Sequence, residues 1–296
     1  MFTPTAKVIA DSVSPDGNRL TTLEVTLHRF VLAEFNTHRA FSRNSASSRA
    51  IPYAKMRAKA LETPALPLSW PGERKGMQGG EEASLETQKE FQSVWLAARD
   101  KAVQSADLLA EMGLHKSVIN RLLEPFLPHT IIVSATNWTG FWAQRCHPSA
   151  QPEIRVAAEA MRAAYDASTP EKVWWGNYHL PYINEEEREQ YPIKLYAPDT
   201  SQYKGLKLLQ QNPLLKISAA RCARVSYLTH DGKRDLDKDI ELFDRLTKHS
   251  PPHASPLEHV AAASEGIVPD LFPHWTGRQL GNFHGWRQLR HQLSMN

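Results

Sequence analysis

Two stretches near the beginning of the chain carry the pattern of β-strands. Residues 5–11 and 19–28 are rich in β-branched side chains, and the segment SPDGN between them has the Gly and Asn of a tight turn. A short apolar run at residues 130–135, TIIVSA, predicts a third strand that is buried. We therefore expect a β-hairpin or two adjacent strands first, and a further strand later.

Apolar residues at helical spacing predict helices in much of the remaining chain. Gly113 and Pro125 would each end a helix, and Pro152 lies in the first turn of another. The predicted helical segments are residues 83–113, 115–126, 150–167, 214–228 and 235–249. Strands and helices together predict an α/β or α+β domain, with a central mixed or antiparallel sheet flanked by helices.

Polar and proline-rich segments indicate how the chain is divided. Residues 62–82 are rich in Pro and Gly and are interpreted as an exposed loop or flap. Residues 185–213 are polar with scattered prolines and are interpreted as a connector. We predict a single catalytic domain of two lobes, residues 1–184 and residues 214–296, joined by this connector.

Composition narrows the class of protein. The 296 residues are 41% hydrophobic, and the net charge of +3 suits an anionic small-molecule substrate but is too weak to indicate DNA binding. Two cysteines, Cys146 and Cys222, cannot form a disulfide framework. No leader and no apolar run of membrane-spanning length is present, so a cytoplasmic location without membrane association is expected.

The stretch EFNTHRAFSRNSASSRAIP at residues 34–52 concentrates hydrogen-bond donors. Arginine forks and serine hydroxyls that converge from one turn suit phosphate oxygens, and asparagine suits the edge of a heterocycle. A solvated loop is the alternative interpretation. No glycine-rich phosphate loop occurs in the chain. The stretch predicts a nucleotide or dinucleotide site, with candidate residues His38, Arg39, Ser42, Asn44, Ser47 and Arg49.

A second cluster contains Arg121 and Arg145, each of which has a surface position as its alternative. Arg145 borders apolar residues and therefore needs a partner. Cys146 and His147 are adjacent, but no Ser/His/Asp or Cys/His/Asn arrangement accompanies them, which argues against a cysteine nucleophile.

Two further clusters lie near the end of the chain. The segment HASPLEHVA carries His253, Ser255, Glu258 and His259, which fit either a functional site or a helix cap followed by Pro256. Its spacing argues against zinc, and no metal site is predicted. The tail GNFHGWRQLRHQL either stacks Trp286 on a planar ring or docks the C-terminus.

Together these motifs resemble the flavin-dependent thymidylate synthases. The family signature R-H-R-x-x-S-x-x-x-x-S-x-R is matched by THRAFSRNSASSR at His38, Arg39, Ser42, Ser47 and Arg49. The segments NRLLEP and AQPEIR resemble the A-R-x-x-L-P and A-Q-x-E-I elements of the family. The segments CARVSY and HASPLEH resemble A-R-x-S-[YF] and H-x-S-P-x-E-H.

The chain departs from the family in order and in three signature positions. The last two segments come first in the family and last here, so the chain resembles a circular permutation joined through residues 185–213. Thr37 and Ala50 replace the leading Arg and trailing Tyr, and Glu34 stands where a Gln is usual. We hypothesise that Arg287, Gln288 and Arg290 of the tail refill the altered site.

The resemblance implies a role for each matched residue. Ser47, Arg49 and Arg121 would bind the phosphate of dUMP and Arg145 the uracil edge, with Arg145, Arg49 and Ser47 as the catalytic set. Glu34, Arg287 and Gln288 complete the implied substrate-binding residues. The residues implied to line the FAD site are His38, Arg39, Asn44, Asn137, Ser226, His253, Ser255, Glu258 and Arg290.

The implied reaction takes a one-carbon unit from methylenetetrahydrofolate to C5 of dUMP, with FAD reduced by NADPH, in a homotetramer. A first alternative is a hydroxymethyltransferase that acts on dUMP or dCMP. A second is a non-catalytic nucleotide-binding module, which the altered Glu34 and Thr37 would favour. Single-stranded nucleic acid binding is disfavoured because aromatic residues are not interleaved with a basic stripe.

Overall fold

The computed structural model describes residues 2–175, 177–192, 212–225, 234–249, 253–263 and 282–293. Of the predicted site residues, Ser226 lies outside these ranges. The described chain is a mixed α/β structure with two sheets, which confirms the predicted fold class.

A five-stranded mixed sheet forms the centre of the fold, in the order β3-β4-β2-β1-β5. Strands β1 and β2 pair antiparallel around a turn in which Gly17 has a φ of +80°, so the predicted hairpin is confirmed. The parallel pairing of β5 with β1 makes the sheet mixed. The strands are β1 (Thr5–Val13), β2 (Arg19–His28), β3 (Ser42–Ser45), β4 (Pro128–Ala135) and β5 (Glu171–Lys172).

A smaller antiparallel sheet joins the middle of the chain to its C-terminal part, in the order β6-β7-β8. Its strands are β6 (Tyr178–His179), β7 (Ala261–Ala263) and β8 (Trp286–Gln288). Strand β6 comes from the first predicted lobe and the other two from the second. The two predicted lobes therefore share a sheet.

The five helical segments predicted from apolar spacing all contain helix in the structure. The segment 115–126 is split into a short α-helix and a 3₁₀ helix, Asn120–Phe126, whose penultimate residue is Pro125. Other 3₁₀ turns are Arg29–Val31 and Ser255–Glu258. The α-helices are α1 (Leu32–Phe35), α2 (Tyr53–Glu62), α3 (Leu85–Glu111), α4 (Lys116–Ile119), α5 (Thr139–Arg145), α6 (Pro152–Ala167), α7 (Glu185–Gln190), α8 (Pro213–Arg224), α9 (Leu236–Lys248) and α10 (Leu289–Leu293).

Helix α7 lies in the segment interpreted as a connector. Asn184 and Glu187 form a capping box at its beginning, and the Glu187 carboxylate is buried against Arg221 at 2.7 Å. The Arg221 guanidinium also binds Asp239, so helices α7, α8 and α9 are held by one buried ion-pair cluster.

The two faces of the central sheet differ in character. One face packs Leu23, Val25, Ile131 and Val133 against the apolar side of α6. The alternate residues of the same strands face the other way and include buried hydroxyl groups. Among the helices that the structure describes, none has the length and apolar composition needed to span a bilayer.

Candidate functional site

Strand β3 carries the middle of the arginine- and serine-rich stretch along the edge of the central sheet. It pairs with β4, with Ser42 opposite Ser134 and Asn44 opposite Ile132. Because side chains alternate along a strand, Ser42 and Asn44 share one face, and both are buried. Arg39, which precedes the strand, is exposed. The middle of the stretch is therefore an ordered strand and not a solvated loop.

Asn44 connects this strand to two distant segments. Its side-chain amide donates to the Cys222 carbonyl at 2.7 Å, and its side-chain oxygen accepts from the Ser255 hydroxyl at 3.2 Å. The signature strand is thus held against α8 and against the turn that carries the H-x-S-P-x-E-H motif. Three of the motifs that were far apart in sequence meet at one side chain.

The C-terminal tail reaches the same strand through Gln288. The Gln288 amide donates to the Ser42 hydroxyl at 2.7 Å and to the Glu258 carbonyl at 3.2 Å. Arg290 forms an ion pair with the Glu258 carboxylate. Arg287 precedes Gln288 on β8 and therefore faces the opposite side of its sheet.

Arg287 is 3% exposed, and burial lowers its pKa to about 10, an effect that the nearby Tyr178 opposes. Of the three tail residues expected to refill the altered site, Gln288 and Arg290 lie at the signature strand and its partner motif. Arg287 is not brought to them.

A buried polar seam joins the two sheets at this place. Three hydroxyls lie in a row across β3, β4 and β2. Each is hydrogen-bonded to one polar side chain, which lies either on the smaller sheet or just before one of its strands. The pairs are Ser42 with Gln288 at 2.7 Å, Ser134 with His259 at 2.8 Å, and Thr22 with His179 at 2.7 Å. All six side chains are at most 2% exposed.

The seam continues beyond these pairs. The Thr22 and Ser134 hydroxyls are 2.6 Å apart, and His179 Nδ1 lies 2.9 Å from the Ser12 hydroxyl. Burial lowers the pKa of His179 and of His259 to about 3, so both imidazoles are neutral at pH 7. His259 Nε2 is buried without a hydrogen-bonding partner among the described residues. Sequence reasoning named Ser42, Gln288 and His259 but not their seam partners Ser134, Thr22 and His179, although Ser134 within an apolar strand was a signal.

Arg145 and His38 form a second group of predicted site residues. Arg145 Nε donates to His38 Nε2 at 2.8 Å, and another guanidinium nitrogen lies 3.4 Å from the Glu34 carbonyl and 3.3 Å from the Thr37 hydroxyl. Burial, then the charges of Arg145 and Arg43, lowers the pKa of His38 to about 4. A neutral His38 therefore accepts from and orients the guanidinium.

The third group surrounds Glu124. Its carboxylate accepts from the Ser48 hydroxyl at 2.6 Å, from Arg121 at 2.8 Å and from Arg29 at 3.2 Å. Arg121 is thereby placed beside the turn that carries Ser47 and the exposed Arg49. Sequence reasoning missed Ser48, Arg29 and Glu124.

Although burial opposes it, the Ser48 hydroxyl and the two arginines hold the pKa of Glu124 below its ordinary value. The Glu124 carboxylate is therefore ionised at neutral pH.

Two predicted residues have contacts outside these groups. The Asn137 side chain accepts from the backbone N–H of Thr139, two residues further on, which is an Asx-turn contact just before α5. His253 is exposed and its ring meets that of His249 edge-on. Burial raises the pKa of both thiols, Cys146 and Cys222, which makes each a poor nucleophile.

The polar side chains at the seam's edge are of the kinds that bind a flavin. Beyond the bonds to Cys222 and between Asn44 and Ser255, the Asn44 amide has a second N–H and the Ser255 hydroxyl has acceptor capacity for a heterocycle edge, and the exposed Arg39 suits a diphosphate. Among the described residues no group of acidic, histidine and cysteine side chains could hold a metal ion.

Residues 19–171, just over half of the chain, match the model of the Thy1 family. This family is described as thymidylate synthase complementing protein. Among solved structures, a UMP/dUMP methylase PolB from Streptomyces cacaoi bound with 5-Br dUMP has 16% identity and a TM-score of 0.46, with 56% of this chain and 90% of that one covered. The same protein bound with 5-Br UMP has 16% identity and a TM-score of 0.45, with coverage of 56% and 89%. No curated protein matches the chain. The chain belongs to the thymidylate synthase complementing protein family.

Proposed function

We propose that this protein is a flavin-dependent thymidylate synthase. It transfers a one-carbon unit from methylenetetrahydrofolate to C5 of dUMP, with FAD and NADPH supplying the reduction. The observation that carries the proposal is the contact between Asn44 and Ser255, which joins the signature strand to the H-x-S-P-x-E-H turn across 211 positions. Family membership supports it.

The residues that would hold the flavin are of two kinds. Asn44, Ser255 and Glu258 lie at the junction of strand β3 with the Ser255–Glu258 turn, and Arg290 neutralises Glu258 there. The remaining members of the proposed set are His38, Arg39, Asn137 and His253, with Ser226 outside the described residues. When bound, the flavin supplies the electron transfer, which protein side chains cannot perform.

The residues that would hold the nucleotide provide positive charge at two points. Ser47, Arg49 and Arg121 lie at or beside one turn and suit the phosphate. Arg145 donates a hydrogen bond to His38, and its guanidinium suits the carbonyl edge of the pyrimidine. Because His38 is neutral and fixes Nε of Arg145, the rest of the guanidinium is oriented to stabilise negative charge that develops on the base.

The raised pKa of both thiols supports a route without a cysteine nucleophile. As the family implies, the active form is proposed to be a homotetramer. Light scattering of the purified protein would measure this.

The runner-up is a hydroxymethyltransferase that acts on dUMP or dCMP, because the altered signature residues Glu34 and Thr37 at Arg145 leave the product and the base open. The Glu34 side chain has a buried oxygen without a hydrogen-bonding partner among the described residues. Arg145 contacts the backbone carbonyl of Glu34 and not this carboxylate. If the carboxylate faced the pyrimidine, it would accept from the amino group of a cytosine, which would point to dCMP.

Turnover separates these functions. The protein is incubated with FAD, NADPH, methylenetetrahydrofolate and either dUMP or dCMP, and the product is identified by mass. Thymidylate with one NADPH consumed per product is expected. A hydroxymethylated product without NADPH consumption would establish the runner-up. Nucleotide binding without any product would leave the non-catalytic module.

A further inference from the structure

Glu124 is bound by the protein in the way that a phosphate would be. One carboxylate oxygen accepts from the Ser48 hydroxyl and from Arg121, and the other accepts from Arg29. One hydroxyl and two guanidiniums are the donors expected for a small anion. The same kind of donor set, at the same turn, is proposed for the nucleotide phosphate.

This carboxylate departs from the family element quoted above. In the element A-R-x-x-L-P the position before the proline is Leu, and here the corresponding segment is NRLLEP, with Glu124 before Pro125. An apolar position has therefore become an acidic one beside the predicted phosphate site. The Glu124 side chain is 19% exposed, so it is partly shielded from water.

The surroundings of Glu124 are cationic. A small cavity beside it is lined by Arg29, Lys59 and His129 as well as by Ser48. Burial, with the charges of Arg29 and Lys59, lowers the pKa of His129 to about 3, so this imidazole stays neutral and can donate or accept without adding charge. Without Glu124, the group would hold the positive charges of Arg29, Lys59 and Arg121 around one hydroxyl.

We propose that Glu124 is an internal anion that occupies the phosphate position of the free protein and is displaced when the nucleotide binds. The identity of the nucleotide rests on the proposed function, whereas the competition between Glu124 and an external anion does not.

Among external anions, phosphate monoesters compete best with Glu124. A carboxylate carries one negative charge, so a dianionic monoester gains more from the arginines than Glu124 does and replaces it. A phosphodiester carries one negative charge and gains no such advantage. Competition with Glu124 lowers the affinity of both ligands by the same factor, so the dianionic monoester still binds at concentrations at which the weaker diester does not.

Calorimetry with Glu124→Gln tests the proposal. The full-length variant and the wild type are titrated with dUMP, with deoxyuridine, with inorganic phosphate and with the 5′-methyl phosphodiester of dUMP. We expect Glu124→Gln to bind dUMP and phosphate about tenfold more tightly or better, because a competing charge-assisted acceptor is removed. Deoxyuridine affinity should not change, and the diester should gain by the same factor as dUMP.

Asp107→Asn is the matched control. Asp107 also accepts from one hydroxyl, that of Tyr53 at 2.5 Å, and from one guanidinium, that of Arg57 at 2.7 Å. It lies on α3, outside the proposed phosphate group, so its replacement should leave all four affinities unchanged. Glu124→Leu, which restores the residue of the family element, should repeat the gain if Glu124→Gln fails to fold.

Equal or weaker dUMP and phosphate binding by both Glu124 variants would overturn the proposal, even if the wild type turns over dUMP. If neither protein binds dUMP but the variants bind phosphate more tightly, the internal anion is supported while the nucleotide function fails. A gain shared by Asp107→Asn would also overturn it, because it would reflect overall charge alone.

Discussion

The side-chain amide of Gln288 donates a hydrogen bond to the Ser42 hydroxyl across 2.7 Å, although the two residues are 246 positions apart. Both side chains are buried, and the contact places the C-terminal strand on the signature strand. It is the first of three such pairs along the seam between the two sheets. The seam fixes how the H-x-S-P-x-E-H turn approaches the arginine- and serine-rich stretch.

Replacing Gln288 with Leu should destabilise the protein by about 1–3 kcal/mol. The change keeps the volume of the side chain but leaves the Ser42 hydroxyl and the Glu258 carbonyl without this donor in a buried place. Urea unfolding measures the free energy. Gln104→Leu on the exposed side of α3 is the control, and an equal loss in both variants would contradict a special role for Gln288.

The seam should also make stability depend on pH. An unfolded histidine takes up a proton near pH 6.5, whereas folded His179 and His259 stay neutral down to about 3. Below pH 6.5 the unfolded chain binds more protons, so the free energy of unfolding falls as the pH decreases. Above pH 6.5 this contribution is constant. The expected slope is about 1.4 kcal/mol per pH unit for each histidine.

Urea unfolding between pH 7.5 and pH 5 measures this slope. His259→Asn keeps a polar atom near the Ser134 hydroxyl but does not titrate, so it should reduce the slope by one histidine's share. A wild-type stability that does not change over this range would contradict the neutral seam.

The hydroxyl of Thr22 should matter more than that of Thr26 on the same strand. Thr22 bonds both Ser134 and His179 within the seam, whereas Thr26 bonds only Thr130 in a partly exposed pair. Thr22→Val should lower the unfolding free energy by about 1–3 kcal/mol and Thr26→Val by less. The opposite order, measured by urea unfolding, would show that the seam is not the stronger network.

Arg145→Lys should lower turnover about 100-fold while flavin binding is kept. Lysine retains the charge but cannot both bond His38 and present further donors in one plane. Product formation and flavin absorbance are measured in parallel. Arg155→Lys, an arginine on α6 that pairs with Glu159, is the control. Full activity of Arg145→Lys would remove Arg145 from the proposed base site.

The double variant Cys146→Ser, Cys222→Ala should retain turnover within about twofold, because burial raises the pKa of both thiols and disfavours the reactive thiolate. A loss of product formation with unchanged flavin content would indicate a cysteine nucleophile and contradict the proposed route.

The strands and long helices could be predicted because their signals are local. The alternation in 19–28, the apolar run at 130–135 and the helical spacing of 83–113 all depend on neighbouring residues. Helix α7 was not predicted because it is polar and has no apolar side of its own. It is stabilised by the buried bond between its Glu187 and Arg221, a residue 34 positions further along the chain.

Only the site residues that lie within the recognised motifs could be predicted from the sequence. The resemblance named Asn44 and Ser255, and the structure brings them together. It gave no reason to expect His179 or Thr22, since lone polar residues in strands usually face water. Arg287 and Gln288 were grouped by adjacency, but neighbours in a strand face opposite sides, so only Gln288 meets Ser42.

The proposed function requires a flavin site at the junction of Asn44 with Ser255, next to a nucleotide site. The most direct measurement is the absorbance spectrum of the purified protein reconstituted with FAD, recorded before and after addition of dUMP. We predict bands near ~370 and ~450 nm that shift when dUMP binds, as expected of a protein-bound flavin that senses its substrate. A protein that takes up no added FAD would contradict the proposed function.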